Sequence, residues 1–345
     1  MINHTALQKH FRERYPNRIS VLDSHTGGEP TRLIIGGMGP LPGTTMKEKR
    51  LAFQDRHDQV RQLLTKEPRG HRGMFAACLT EPVTPGAHFG LIYMDPRRYP
   101  FLCGHATIGA VTTLIETGMI QPDGDVVDVA VDTPSGVMNT RAVMNGDKVE
   151  SVAFRSVPSF VYETDREINV PGWGKIKVAT VCVGGFFAMV SSDQLTMELK
   201  AENSAQLIDL GMAVIASANE QITVRHPERP EVKTVDVTEF YETAAEHSHG
   251  AGIVIYGESH MDRSPCGTGT TAKLTLFHHM GKIKTGQPYR NAGPLGTEFE
   301  AFVAEETRVG DLPAVVVEIK GSAYLTGMHE FVLDSADPFD QGYLL

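Results

Sequence analysis

Two cysteines in this chain stand where sulfur can do acid–base work. One lies in Asp262-Arg263-Ser264-Pro265-Cys266-Gly267-Thr268-Gly269-Thr270, ahead of an apolar run ending at Met280. Pro265 is excluded from a helix interior, so a helix is expected from Gly267, with Ala272, Leu274, Leu276, Phe277 and Met280 buried. A sulfur at the start of a helix feels the positive pole and nearby free N–H groups. Both favour thiolate, which predicts a pKa below the roughly 8.5 of a free cysteine. The competing reading of one such cysteine is a small residue filling a tight turn.

The other cysteine opens Cys103-Gly104-His105-Ala106-Thr107-Ile108-Gly109-Ala110, and its segment continues through Ile120. Laid without a gap on Cys266 to Ile283, it agrees at Cys103/Cys266, Gly104/Gly267, Thr107/Thr270, Thr112/Thr275, Gly118/Gly281 and Ile120/Ile283. Gly27-Gly28 corresponds to Gly184-Gly185, and Gly136 to Gly296, at nearly the same offset. Three landmarks in one order at one spacing imply a duplicated domain.

Pseudo-twofold symmetry then points two helix N-termini into one cleft, with one sulfur on each side. The backbone N–H groups of Gly104, His105, Gly267 and Thr268 are expected to bind a carboxylate there. The matching chemistry removes an α-proton from one face and returns a proton to the other. One cysteine acts as thiolate base and the other as thiol acid. The helix ends stabilise the charge that builds on the carboxylate. Neither a dinucleotide fingerprint nor a phosphate loop occurs, so no cofactor is implied. Two other classes compete. Cys103, His105, Cys266 and His260 are a conceivable zinc set, although Cys-Gly-His lacks the usual ligand spacing. A Cys103–Cys266 disulfide is the redox version.

The elements that must position these sulfurs come next. At 345 residues the chain is long enough for two domains with real cores. We expect an N-terminal extension at 1–18, first and second halves at 19–157 and 158–323, and a closing segment at 324–345 that returns to the first half. Each half reads as a curved β-sheet with one outer helix (Met46 to Lys66; Asn203, as cap, to Ala218) and one central apolar helix after its cysteine. The fold class is therefore α+β, with the active site between pseudo-symmetric halves. Strands are expected at Ile19 to Leu22, Thr31 to Ile35, Met74 to Leu79, Ala87 to Met94, Val126 to Val131, Gly136 to Val143 and Val149 to Val157. In the second half they are expected within Lys175 to Val190 and at Thr234 to Tyr241, Gly252 to Gly257, Glu298 to Val303, Ala314 to Ile319 and Tyr324 to Val332.

A net charge of −10 leaves no basic stripe for nucleic acid. No apolar run reaches the roughly 20 residues of a membrane span. Met1 to Arg18 is polar and lacks a signal-peptide core, and four cysteines are too few for a disulfide framework. These features predict a cytoplasmic protein.

Asp23-Ser24-His25-Thr26-Gly27-Gly28-Glu29-Pro30-Thr31-Arg32, Cys103-Gly104-His105 and the Asp262–Thr270 segment resemble the signature segments of the proline racemase family. The resemblance runs from about Ile19 to about Val332. It implies a diaminopimelate-epimerase-like fold, a homodimer and cofactor-independent two-thiol racemisation of proline or hydroxyproline. It also makes Cys103 and Cys266 the acid/base pair and Gly104, His105, Gly267 and Thr268 the carboxylate site. Asp262 would be the partner of the substrate's ring nitrogen; on its own spacing it reads equally well as a cap of the following turn. Family members that dehydrate trans-3-hydroxyproline lack one cysteine, so the pair favours a racemase or epimerase. Glu67-Pro68-Arg69-Gly70-His71-Arg72-Gly73-Met74-Phe75 is more similar to proline racemases than to 4-hydroxyproline 2-epimerases. Leu102 and Ala106 depart from the usual pattern.

Other chemistry-bearing residues have plainer readings. Cys78 and Cys182 suit buried strands. His247 and His249 suit a solvated loop rather than the cleft mouth, and His278 and His279 a helix end.

Overall fold

The computed structural model describes residues 3–243, 248–257 and 259–345. A surface helix, α1 (His4–Arg14), opens the chain. The first half follows as β1 (Arg18–Thr26), β2 (Glu29–Gly36), α2 (Met46–Thr65), β3 (Ala76–Thr80), β4 (Phe89–Met94), α3 (Gly104–Glu116), β5 (Val126–Thr133), β6 (Gly136–Asn145) and β7 (Lys148–Arg155). After β8 (Phe160–Val170) the scheme repeats. It runs β9 (Gly174–Val183), β10 (Gly185–Ser191), α4 (Ser204–Gln221), β11 (Val235–Tyr241), β12 (His249–Tyr256), β13 (His260–Met261), α5 (Gly267–His279), β14 (Tyr289–Ala292), β15 (Glu298–Val309) and β16 (Leu312–Gly321). The last strand is β17 (Ala323–Val332).

Strand pairing traces one path that reads alike from both ends. From one edge it runs β17–β1–β2–β3–β4–β5–β6–β7. From the other it runs β8–β9–β10–β11–β12–β14–β15–β16. The two meet where β7 pairs with β16. In both, the third strand pairs with the fourth, and the fifth with the sixth, in parallel. The outer strand of each half comes from the chain that has just left the other half: β17 closes on β1, and β8 on β9.

Each sheet wraps a helix. In α3 every residue from His105 to Ile115 is buried, and in α5 so are Gly267 and the run Gly269 to Phe277. A helix apolar all round has no face to offer water, and burying it is the sheet's main source of core. The two central helices share one apolar core that includes Val111, Leu114, Leu274 and Leu276. The outer helices cover the convex sides over separate cores, α2 with Phe53 and Leu63, α4 with Leu207 and Val214.

Local chemistry explains most boundaries. Thr45 caps α2, its hydroxyl accepting from Glu48 N–H at 3.1 Å, while the Glu48 carboxylate accepts from Thr44 N–H at 2.7 Å. Gly146, at φ +64°, turns β6 into β7. Four sequence expectations need correction. Met280, expected buried, is half exposed just past α5, and β14 was not foreseen. Asn203 precedes α4 but does not cap it with its side chain, which instead donates to Glu198 O at 2.9 Å. Strand β8 was not expected at all. Its Glu163-Thr164-Asp165-Arg166 stretch breaks the alternation, and the strand absorbs it through register shifts at Glu163 and a left-handed Asp165. No described helix is long and apolar enough to cross a membrane.

Candidate active site

Cys103 and Cys266 are the N-cap residues of α3 and α5. Cys103 sits in ordinary extended backbone, but Cys266 has φ +59°, a conformation that costs a non-glycine residue about 1–3 kcal/mol. The preceding turn imposes it. Asp262 Oδ1 accepts from both the N–H and the hydroxyl of Ser264, at 2.8 and 2.7 Å. The Ser264 hydroxyl in turn accepts from Cys266 N–H at 3.0 Å. Asn291 Nδ2 fastens Pro265 O at 3.0 Å.

Both sulfurs open into one cavity of about 130 Å³. All seven residues singled out in the sequence line it: Cys103, Gly104, His105, Asp262, Cys266, Gly267 and Thr268. The remaining wall is mostly apolar, from Phe75, Leu102, Phe187, Val237, Val254 and Tyr256. The sequence indicated none of the last four. They sit side by side on one ladder, Phe187 paired with Val237 and Val237 with Tyr256, with Val254 two residues along the same strand, a pairing that no local signal specifies.

Each sulfur is bonded at its helix end. The Cys266 sulfur accepts from Gly269 N–H at 3.4 Å and lies 3.4 Å from the Thr268 hydroxyl. The Cys103 sulfur lies 3.2 Å from His105 Nδ1. The His105 ring stacks edge-on against Phe75, with centroids 4.9 Å apart.

The electrostatics reverse one expectation. Helix-end N–H groups do lower both thiols, yet burial outweighs them and pushes Cys103 and Cys266 well above the ordinary thiol range. The nearby Asp262 carboxyl raises both further, joined by Glu29 at Cys103 and by Glu239 at Cys266. Burial also raises Asp262 itself, helped by Glu29. His105 is held down to about 4, chiefly by burial, and is neutral near pH 7.

The Asp23–Pro30 loop contributes less than its polarity suggested. Asp23 pairs with Arg32 at 2.8 Å, and the His25 ring packs on Tyr324. Thr26, whose hydroxyl donates to His105 O at 2.8 Å, and Glu29 both reach inward, and Glu29 is fully buried. Its Oε1 meets His260 Nε2 at 3.0 Å and its Oε2 accepts from Arg263 N–H at 2.8 Å. This joins β2 of the first half to the turn that carries Cys266. Glu29 and His260 also line a larger cavity of about 230 Å³. That cavity shares Phe75, Asp95, Arg98 and Tyr256 with the thiol cavity but is lined by neither cysteine.

The alternative ligands fall elsewhere. His260 turns to Glu29, and among the described residues no group of three or more His, Cys, Asp or Glu is arranged to hold a metal ion. Cys78 and Cys182 are buried in β3 and β9, where burial pushes both thiols up to about 12. His249 faces Glu298 at 3.4 Å, outside the cavity, and His247 lies outside the described residues.

A family model described as proline racemase matches residues 21–344. A proline racemase from Clostridioides difficile is 39% identical over 334 residues, covering 96% of this chain and 99% of that protein. A trans-L-3-hydroxyproline dehydratase from Xenopus tropicalis is 34% identical, covering 95% of each. Among solved structures, a hydroxyproline epimerase from Agrobacterium vitis with bound trans-4-hydroxy-L-proline superposes with a TM-score of 0.87, at 28% identity and 96% coverage of both chains. The chain belongs to the proline racemase family, whose racemases and epimerases are isomerases.

Proposed function

We propose that this protein inverts the α-carbon of proline or a hydroxyproline, without a cofactor, by a two-thiol mechanism, with proline preferred. The observation that carries this reading is the convergence of two thiols, one from each half, on a single small cavity between two helix N-termini. At about 130 Å³ the cavity falls well below the roughly 300–1,000 Å³ of drug-sized sites, which suits a small amino acid.

In this reading the substrate carboxylate accepts from backbone N–H groups of Gly104, His105, Gly267 and Thr268, where charge develops as the α-proton leaves. One sulfur, as thiolate, takes that proton; the other, as thiol, gives its proton to the opposite face. The sulfurs finish with exchanged protonation states, ready for the other enantiomer. The raised thiols have a place in this cycle. Asp262's negative charge raises both, and a substrate ring ammonium beside Asp262 cancels that field. Thiolate then forms when substrate is bound.

The apolar wall around Phe75, Leu102, Val237 and Val254 supports an unsubstituted ring, since burying an unpartnered hydroxyl costs about 1–3 kcal/mol. The Tyr256 phenol supports 4-hydroxyproline 2-epimerase as the second reading, because it offers a ring hydroxyl a partner. Retention of both thiols weighs against a dehydratase. The functional unit in this proposal is a cytoplasmic homodimer, each chain comprising an extension (1–18), halves at 19–157 and 158–323, and a closing segment at 324–345.

The test is α-proton exchange in heavy water, followed by NMR under reductant, with L-proline, trans-4-hydroxy-L-proline and trans-3-hydroxy-L-proline. Exchange with proline, abolished by Cys103→Ser and by Cys266→Ser, is expected. Exchange confined to 4-hydroxyproline would make the protein the epimerase, and water loss from the 3-hydroxy compound would make it a lyase.

A further inference from the structure

Behind the helix of Cys266 lies a buried pair that the first half lacks. Glu239 on β11 is fully buried, and neither of its carboxyl oxygens has a hydrogen-bond partner among the described residues. Its Oε2 and the Cys266 Cβ lie 3.2 and 3.3 Å from the point where a side chain would begin on Gly269. Its Oε1 lies 2.8 Å from the same point on Gly252. The carboxyl therefore fits only because both positions are glycine.

Lys273, seven residues beyond Cys266 on α5, is also fully buried. Its ammonium donates to Ala251 O at 2.7 Å and to Asn291 Oδ1 at 3.0 Å. The Asn291 amide passes the link to Pro265 O, next to Cys266. Helical side chains lean toward the helix N-terminus, so Lys273 reaches back toward the sulfur. In the ungapped overlay of the two cysteine segments, Lys273 falls on Ala110. Phe75, just ahead of β3, and Val237 on β11 both line the cavity, and two residues on from them come Ala77 and Glu239. Both alanines are fully buried in the apolar core.

A carboxylate without a hydrogen bond is strongly disfavoured in such a place, so Glu239 keeps its proton. Lys273 has two carbonyl acceptors, with the Tyr289 ring 5.1 Å away, and keeps its charge. Burial pushes Glu239 well above the carboxylate range and brings Lys273 down to about 8, a fall that the charges of Glu239 and Glu242 oppose.

We propose that Lys273, beside a neutral Glu239, is a positioning residue that makes the two thiols unequal, its uncancelled positive charge favouring thiolate at Cys266 and not at Cys103. The charged and titratable groups facing this arrangement are Glu239 from β11, Glu242 just after it, Tyr289 from β14, Tyr256 from β12, Asp262 from the preceding turn, and Cys103 with His105 across the cavity. Its catalytic consequence rests on the two-thiol reading; the inequality itself does not.

The test is alkylation by iodoacetamide as a function of pH, mapped to each cysteine by peptide mass spectrometry on the full chain. Lys273→Gln is expected to raise the Cys266 midpoint by about one pH unit and leave that of Cys103 unchanged. Glu239→Gln, a neutral amide for a neutral acid, is expected to leave both midpoints where they are. A K273Q shift that is absent, or equal at both cysteines, overturns the proposal. So does a fall of the Cys266 midpoint in E239Q, which would mean that Glu239 is ionised. Should K273Q fail to fold, Lys273→Arg decides: it keeps the charge and is expected to show wild-type midpoints, and a raised Cys266 midpoint refutes the idea. Alkylation needs no substrate, so this result stands apart from the identity of the amino acid turned over.

Discussion

Gly104 and Gly267 meet at the centre of the molecule, where a side chain begun on Gly267 would lie 4.0 Å from the Gly104 Cα. The Phe154 ring from β7 packs on both, with its Cζ 2.6 Å from the Gly104 position and 3.2 Å from the Gly267 position. The two helix ends can face each other only because neither carries a Cβ.

Gly104→Ala should therefore displace Phe154 or tilt α3, costing about 1–3 kcal/mol of stability and more in activity. Gly267→Ala should cost less, since its clash is milder. Urea unfolding and α-proton exchange read the two effects. Phe154→Leu added to Gly104→Ala should recover part of the stability. Wild-type behaviour of Gly104→Ala would sink this account of the helix ends.

Asp262→Asn keeps the turn's shape and removes the charge that raises both thiols. The alkylation midpoints of Cys103 and Cys266 should both fall. At the same time kcat/KM should drop roughly 10- to 150-fold through the lost ammonium partner, as expected for a charged hydrogen bond of about 1.5–3 kcal/mol. Unchanged midpoints would mean that Asp262 is not ionised in the empty site.

His105 supplies a pH dependence with a definite sign. Its folded pKa of about 4 lies below the ordinary 6.5, so the unfolded chain takes up the proton first. Stability contributed by this residue is full above pH 6.5 and is lost as pH falls toward 4, by about 3 kcal/mol in all. Denaturant titrations of wild type and His105→Asn at pH 7 and 4.5 should converge at the lower pH. A constant gap between them would refute a neutral buried His105.

Glu29→Ala leaves His260 and the Arg263 N–H without their shared acceptor and should destabilise the protein by roughly 3–5 kcal/mol. Glu29→Gln keeps an acceptor oxygen and should cost less than half of that. Equal losses in thermal unfolding would show that charge, rather than the hydrogen bonds, joins the halves here.

Much of the site was legible because its signals are local. A proline, a cysteine and two glycines ahead of an apolar run specify a helix start, and that start dictates where the sulfur and the free N–H groups point. Repetition of the same grammar at Cys103 and Cys266 made a facing pair foreseeable, and both line one cavity. Strand β8 was not foreseeable, because its four-residue polar interruption is tolerated only with β9 alongside to absorb the register shifts.

By itself the sequence determined the duplicated plan, the two central helices and six residues around the sulfurs, because propensity, capping and periodicity act over a few residues; Asp262 followed only from the family resemblance. The tertiary structure alone decided the rest. It set the thiols' protonation, since the free energy of a buried charge depends on everything packed around it, and packing outweighed the helix pole. It brought Tyr256, Val254, Val237 and Phe187 to the cavity through the pairing of β10, β11 and β12. It also put Glu239 and Lys273 behind one thiol and two alanines behind the other. That difference between the halves is invisible in the motifs because it lies one layer beneath them.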